Sequence, residues 1–222
     1  MLSLARNLDS RLDPRPAAVP PDPDSGVLAE LFEAAGGGPF SAEIAGRLLD
    51  ETGSLATAMA ASAADLARLG VPQEARRALA ALRAAVTATL RRQIETRPCL
   101  ASNRALLDYL HAAMAHDGIE RFRVLFLNNR NVLIRDEVMS EGSIHTAPVF
   151  TREVVKRALD LGAGAMILVH NHTSGDPRPS RDDIDITREL SAAAKLFGIA
   201  VHDHLIIGRQ GHVSLCQLGY LL

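Results

Sequence analysis

The residues best suited to chemistry lie in one stretch, from His170, Asn171 and His172 through Ser180 to Asp183. Two histidines at i and i+2 on a strand project to the same side, so both imidazoles can reach one ion. The apolar run AMILVHNH at 165–172 reads as a buried strand that holds them in place. Gly175, Pro177 and Pro179 then turn the chain back. Ser180 is placed to open the next helix as its N-cap, with Asp183 in the first turn, close to the strand end. Two neutral imidazoles and a carboxylate make a three-ligand set, which leaves one position of a tetrahedral zinc ion open for water. Taken singly, a strand histidine is usually a core or surface residue, and a serine before acidic residues is usually only a cap. The loop, the cap and the aspartate at fixed spacing favour the metal.

The spacing His-x-His, seven residues, Ser, two residues, Asp, as carried by His170, His172, Ser180 and Asp183, resembles the metal signature of JAMM/MPN metalloproteases. The wider text over 149–208 is similar to the bacterial RadC family, and the likeness extends over roughly residues 98–222. That resemblance implies an α/β fold of JAMM/MPN, cytidine-deaminase-like type, a β-sheet flanked by helices. It also implies Zn2+ held by His170, His172 and Asp183, with Ser180 stabilising the oxyanion of a tetrahedral intermediate. The same signature needs an upstream glutamate. Glu120, at the junction between a helix and the strand RFRVLFL, is the assignment. A carboxylate there could take a proton from a water whose pKa the metal lowers to about 7 and return it to a leaving amine. Glu137 and Glu141 are the alternatives, and Glu120 can also be read as a solvated residue at a strand start. Thr173 stands where most relatives carry proline; it loosens the loop but removes no ligand. His202, Asp203 and His204 repeat the i, i+2 spacing. Asp203 and His204 match a family pair and read as structural or supporting the ligands from behind.

The elements that must position these groups follow from periodicity. A helix is expected over roughly 103–117, strands at 121–127 and 132–142 around the turn residues Asn128 to Asn131, and a helix capped by Thr151. A helix over 180–198 stopped by Gly198 and strands at 199–208 and 212–222 complete the second half. The division expected is a disordered tail over 1–25, a small all-α domain over 26–93, a linker over 94–102 and the metal-binding domain over 103–222. In the helical part Ser41 and Ser62 are the expected N-caps of four or five short helices.

RadC-like proteins often carry a helix-hairpin-helix module at that place. Here Gly70 is present, but the second expected glycine is replaced around Pro72 and Gln73, so the hairpin is degenerate. Residues 65–97 hold seven arginines against Asp65, Glu74 and Glu95, a local +4 that could make weak, non-specific DNA contacts or be a solvated helix face. The whole chain has 222 residues and a net charge of -2, which gives no strong field toward nucleic acid or an acidic membrane. Two unpatterned cysteines, Cys99 and Cys216, exclude a disulfide framework and fit a reduced cytoplasm. No apolar h-region or membrane-spanning run is present. Three functions compete: zinc-dependent hydrolysis of an amide or isopeptide bond in a peptide or protein substrate, a repair-associated protein that binds or cleaves nucleic acid, and a non-catalytic scaffold braced by metal. The first is favoured, because a scaffold has no use for Glu120 and Ser180 together. The oligomeric state is left open.

Overall fold

The strand Arg121–Leu127 (β1) shows how the sheet is built. Phe122, Val124 and Phe126 pack on one face and Leu125 and Leu127 on the other, all buried. With both faces covered by helices, the sheet is a middle layer rather than a wall with one wet side. The computed structural model describes residues 23–95, 98–99, 103–142 and 149–221. Beside β1 lie Leu133–Glu141 (β2), Ala165–Asn171 (β3), Ala200–Gly208 (β4) and Gly211–Ser214 (β5), in the order β2-β1-β3-β4-β5. Only β3 and β4 run parallel; the other neighbours are antiparallel.

Among the described residues six α-helices precede β1: Pro23–Ala34 (α1), Ser41–Thr52 (α2), Leu55–Ala60 (α3), Ala63–Arg68 (α4), Gln73–Glu95 (α5) and Asn103–Met114 (α6). Thr151–Asp160 (α7) and Arg181–Lys195 (α8) follow. In α6, Leu106, Tyr109, Leu110 and Met114 form one apolar stripe against the sheet. The opposite face is covered by Val154 and Ala158 of α7 and by Leu190 and Ala194 of α8. In α8 the buried positions Asp183, Thr187, Leu190 and Ala194 fall on one side of the helix. The packing stripe that docks α8 therefore also aims Asp183 at the sheet.

Several local expectations are corrected by the structure. Ser62 does cap α4, its Oγ accepting from the Asp65 amide. Ser41 instead lies inside the first turn of α2, with Phe40 in the cap position, and donates back to the Gly38 carbonyl at 2.8 Å. Thr151 likewise lies inside α7 and donates to Glu189 of α8 at 2.6 Å, tying the two helices together. The expected tail over 1–25 lies largely outside the described residues, but 23–25 belong to α1, which opens on a proline suited to a first helical turn. The last strand stops at Ser214.

No glycine or proline interrupts 73–95, and α5 runs as one 23-residue helix. Its Leu79 packs among the N-terminal helices, whereas its Ile94 is buried in the core under the sheet. Cys99 joins the same core, so the segment read as a linker contributes apolar side chains to the sheet domain. Arg83 of α5 binds the buried Asp117 and the Ala113 carbonyl, the latter at 2.9 Å. A fragment of residues 80–222 should consequently melt well above one of residues 103–222. Losing Ile94, whose burial contributes about 1.5–3 kcal/mol, should alone lower the melting temperature by roughly 5 °C or more for a domain of this size. Equal melting temperatures by calorimetry would contradict that shared packing.

Candidate metal centre

The site forms where β3 ends and α8 begins, outside the carboxyl end of a strand in a β-α-β unit, a place where such sheets commonly bind ligands. Every residue of β3 is buried. His170 lies on the face that carries α7 and α8, and Asn171 on the face toward α5 and α6, as strand alternation requires. His172 follows on the His170 side. His170 Nε2 lies 2.9 Å from His172 Nε2. Asp183 Oδ1 is 3.2 Å from His170 Nε2, and Oδ2 is 3.4 Å from His172 Nε2. Ligands around a tetrahedral ion with bonds of about 2.0–2.1 Å stand roughly 3.4 Å apart, so the three side chains sit nearly at the spacing an ion requires. Among the described residues no other group of three or more such ligands converges.

Hydrogen bonding behind the ligands fixes which nitrogen of each ring carries a proton. His172 Nδ1 is 2.9 Å from the Asp176 carbonyl, which can only accept, so Nδ1 donates and the lone pair of the neutral ring is on Nε2. The assignment for His170 passes through two further residues. Thr187 Oγ1 spends its proton on the Asp183 carbonyl and so accepts from His204 Nδ1. His204 is fully buried, and burial, followed by the charge of His170, drives its pKa well below the ordinary histidine value; the ring is neutral. Its Nε2 must then accept the 2.9 Å bond from His170 Nδ1. The lone pair of a neutral His170 thus lies on Nε2, facing His172. Two nitrogen lone pairs and a carboxylate meet with no donor between them, which is the chemistry of a divalent cation site. The donor set fits a metal.

Asp183 serves two purposes. Burial would raise its pKa, but bonds to His170, His172 and Ser180 outweigh that and hold it well below the carboxylate range. Ser180 supplies two of these bonds, from its amide at 2.7 Å and its hydroxyl at 2.6 Å, both to Oδ2. The Ser180 Oγ in turn accepts from the Asp183 amide, closing a capping box. The hydroxyl proton of Ser180 is therefore committed to Asp183, and donation to an oxyanion requires it to rotate.

Glu120 lies immediately before β1. Its carbonyl accepts from the Gly142 amide at 2.8 Å. Both neighbours are pinned by the buried Asn171, whose Oδ1 accepts from the Arg121 amide at 2.8 Å and whose Nδ2 donates to the Ile119 carbonyl at 3.0 Å. The Glu120 carboxylate is 3.5 Å from Thr173 Oγ1, and its charge contributes to raising the His172 pKa. The two alternatives are committed elsewhere: Glu137 pairs with Arg157 and Glu141 with Arg121. His202 bonds Asn131 at 2.7 Å, while Asp203 accepts from its own neighbour His204, from Ser214 and from the Cys216 amide. His202 thus ties β4 to the β1–β2 turn and Asp203 ties it to the end of β5, and neither belongs to a group of converging metal ligands among the described residues. Asn171 and Thr187 were not singled out from the sequence. An amide on a strand too apolar to satisfy it, and a threonine one turn after Asp183, were the available signals.

The ligand loop rests on the turn between β4 and β5. Gly175 has φ +87°, and its carbonyl lies where a Cβ on Gly208 would be, only 2.3 Å away. Gly208→Ala should force the loop off its seat and lower metal affinity, with Gly208→Ser doing the same. His204→Ala should weaken metal binding by about 10–100-fold, as loss of a residue orienting a ligand does elsewhere; unchanged affinity by isothermal titration would contradict the relay. The pKa of His172 is raised chiefly by its bond to Asp183, against burial. In metal-free protein that proton stabilises the fold fully below the ordinary histidine pKa, and the contribution is lost as pH rises through the raised value. A metal must displace the same proton, so affinity should increase with pH up to that value and then level off. Affinity falling over that interval would contradict this ordering.

A family model described as the RadC-like JAB domain matches residues 100–220. A UPF0758 protein from Rhodobacter capsulatus is 47% identical over 179 residues, which cover 80% of this chain and 84% of that protein. The metal centre thus falls within the matched residues, and the chain belongs to the RadC family, its sheet domain being a JAB domain of the JAMM/MPN superfamily.

Proposed function

We propose that the chain is a zinc-dependent hydrolase that cleaves an amide or isopeptide bond. The observation that carries this reading is the Glu120 carboxylate, which stands beside the ligand loop while no arginine or lysine among the described residues pairs with it. A metal that only braced a loop would have no use for an unpaired carboxylate held in place by Asn171 and Gly142. Imidazole and carboxylate donors with no cysteine suit zinc. When bound, zinc would act as a Lewis acid and lower the pKa of an attacking water. Glu120 accepts the proton of that water and delivers it to the leaving amine. Ser180, its hydroxyl proton turned away from Asp183 by rotation about the Cβ–Oγ bond, donates to the oxyanion. His204 and Thr187 keep the proton of His170 on Nδ1 throughout.

Nucleic acid is the weaker partner on charge. Of the arginines over 65–97, Arg68 is engaged by Glu51 and Asp65, Arg83 by Asp117 and Arg91 by Glu95. Any duplex binding is expected to be non-specific and to vanish at moderate salt. No described helix is long and apolar enough to cross a membrane.

The test is a zinc-loaded full chain presented with a pool of quenched fluorogenic peptides and with an activated phosphodiester. Peptide cleavage is expected, with Glu120→Gln retaining zinc but losing about 10²–10⁴-fold in rate. Ser180→Ala should lose about 10²–10³-fold and about 1 kcal/mol of stability as the cap is removed. Cleavage of the phosphodiester alone, or full peptide cleavage by Glu120→Gln, would overturn the assignment.

A further inference from the structure

We propose that the cleft between the N-terminal helices and the sheet domain binds an extended peptide, and that Arg209 anchors one carboxylate of that peptide beside the metal centre. The inference rests on the reading of the chain as a peptide hydrolase and adds the chemistry its substrate must carry. The cleft has a volume of about 720 Å³, ample for a short chain segment. One end is formed by Thr173, next to the ligand His172 and in contact with Glu120. From there it runs between Ile119 on the sheet side and Ala60, Ala61 and Leu69 on the helical side. These apolar walls suit side chains rather than phosphates.

Charge decides the class of ligand. Four arginines line the cleft, Arg68, Arg83, Arg121 and Arg209, against the carboxylates Glu51, Asp65 and Asp117. His116 adds no charge at neutral pH, because burial lowers its pKa. Asp117 is bound by both Arg83 and Arg121, and Arg121 also holds Glu141. Arg68 is paired with Glu51 and Asp65. Arg209 alone among the four has no carboxylate partner among the described residues. It is exposed, and its Nη2 donates to the Ser174 carbonyl at 2.9 Å. That bond orients the guanidinium on the ligand loop and leaves its other N–H groups free for a carboxylate. A polynucleotide needs a row of unpaired cations, one for each phosphate it contacts. The cleft offers a single one, which matches an acidic side chain or a terminal carboxylate in an otherwise uncharged peptide.

The experiment uses the zinc-loaded, immobilised full chain in the Glu120→Gln background, so that any cleavage is slow compared with the binding step, and a random heptapeptide library as the probe. Sequencing of the retained peptides should show Asp or Glu enriched about tenfold or more over the input, the size of one charge-assisted hydrogen-bonded pair. Arg209→Gln should abolish the enrichment, and Arg209→Glu should replace it with enrichment of Lys or Arg. No acidic enrichment, or loss of binding in Arg209→Glu without inversion of the preference, would overturn the proposal; the second result would mean that Arg209 merely holds the Ser174 loop. Arg209-dependent retention of a short single-stranded oligonucleotide at physiological salt would also overturn it, in favour of nucleic acid. Because binding is read without cleavage, its outcome is independent of whether the wild-type chain hydrolyses the peptide pool.

Discussion

The structure is organised around three buried or half-buried groups that a single cation could satisfy together. His170 Nε2 and His172 Nε2 face each other at 2.9 Å beside the buried carboxylate of Asp183. In metal-free protein a proton on His172 relieves the crowding of lone pairs, and the bond to Asp183 keeps it there. A divalent ion would satisfy all three groups at once. The surrounding network exists to prevent any other solution: the Asp176 carbonyl takes the Nδ1 proton of His172, and the chain from Thr187 through His204 takes that of His170. Each ring is thereby denied the tautomer that would turn N–H toward the metal position.

The fold supplies this arrangement economically. One helix face buries Leu190 and Ala194 against the sheet and, by the same periodicity, brings Asp183 to His170 and Thr187 to His204. One strand places the ligand His170 on that face and Asn171 on the other, where the amide fastens the start of β1 and with it Glu120. Ligands and proposed base are therefore referenced to a single buried strand. Displacing β3 would disturb both together, so the buried strand holds the candidate site rigid, as the proposed catalysis would require.

Much of this was legible in the residues. His170, His172, Ser180 and Asp183 are close in sequence, and strand period, loop and cap chemistry act over short range, so the convergence followed from local rules. Glu120 came from resemblance, and its placement near Thr173 depends on pairing across the sheet that no local rule specifies. His204 was read as structural or supporting the ligands, but its partners, His170 on a parallel strand and Thr187 on a helix, are fixed by tertiary packing that no local rule specifies. In the helical half, Ser41 was read as a cap because serine commonly is one, but a 3-10 turn at Gly38–Phe40 precedes α2 and shifts the boundary by one residue. The role of α5 was missed because its alanine-rich surface carries a weak apolar period, so that two distant buried positions, Leu79 and Ile94, did not stand out as belonging to different cores.

The most direct test of the account is X-ray absorption spectroscopy on the full chain titrated with zinc after chelation. One ion per chain is expected, in a shell of nitrogen and oxygen with two imidazoles and no sulfur, and reduced to a single imidazole signature in His172→Ala. A shell containing sulfur, retention of both imidazoles in that variant, or failure to bind zinc at neutral pH would contradict the claim that His170, His172 and Asp183 form a metal centre.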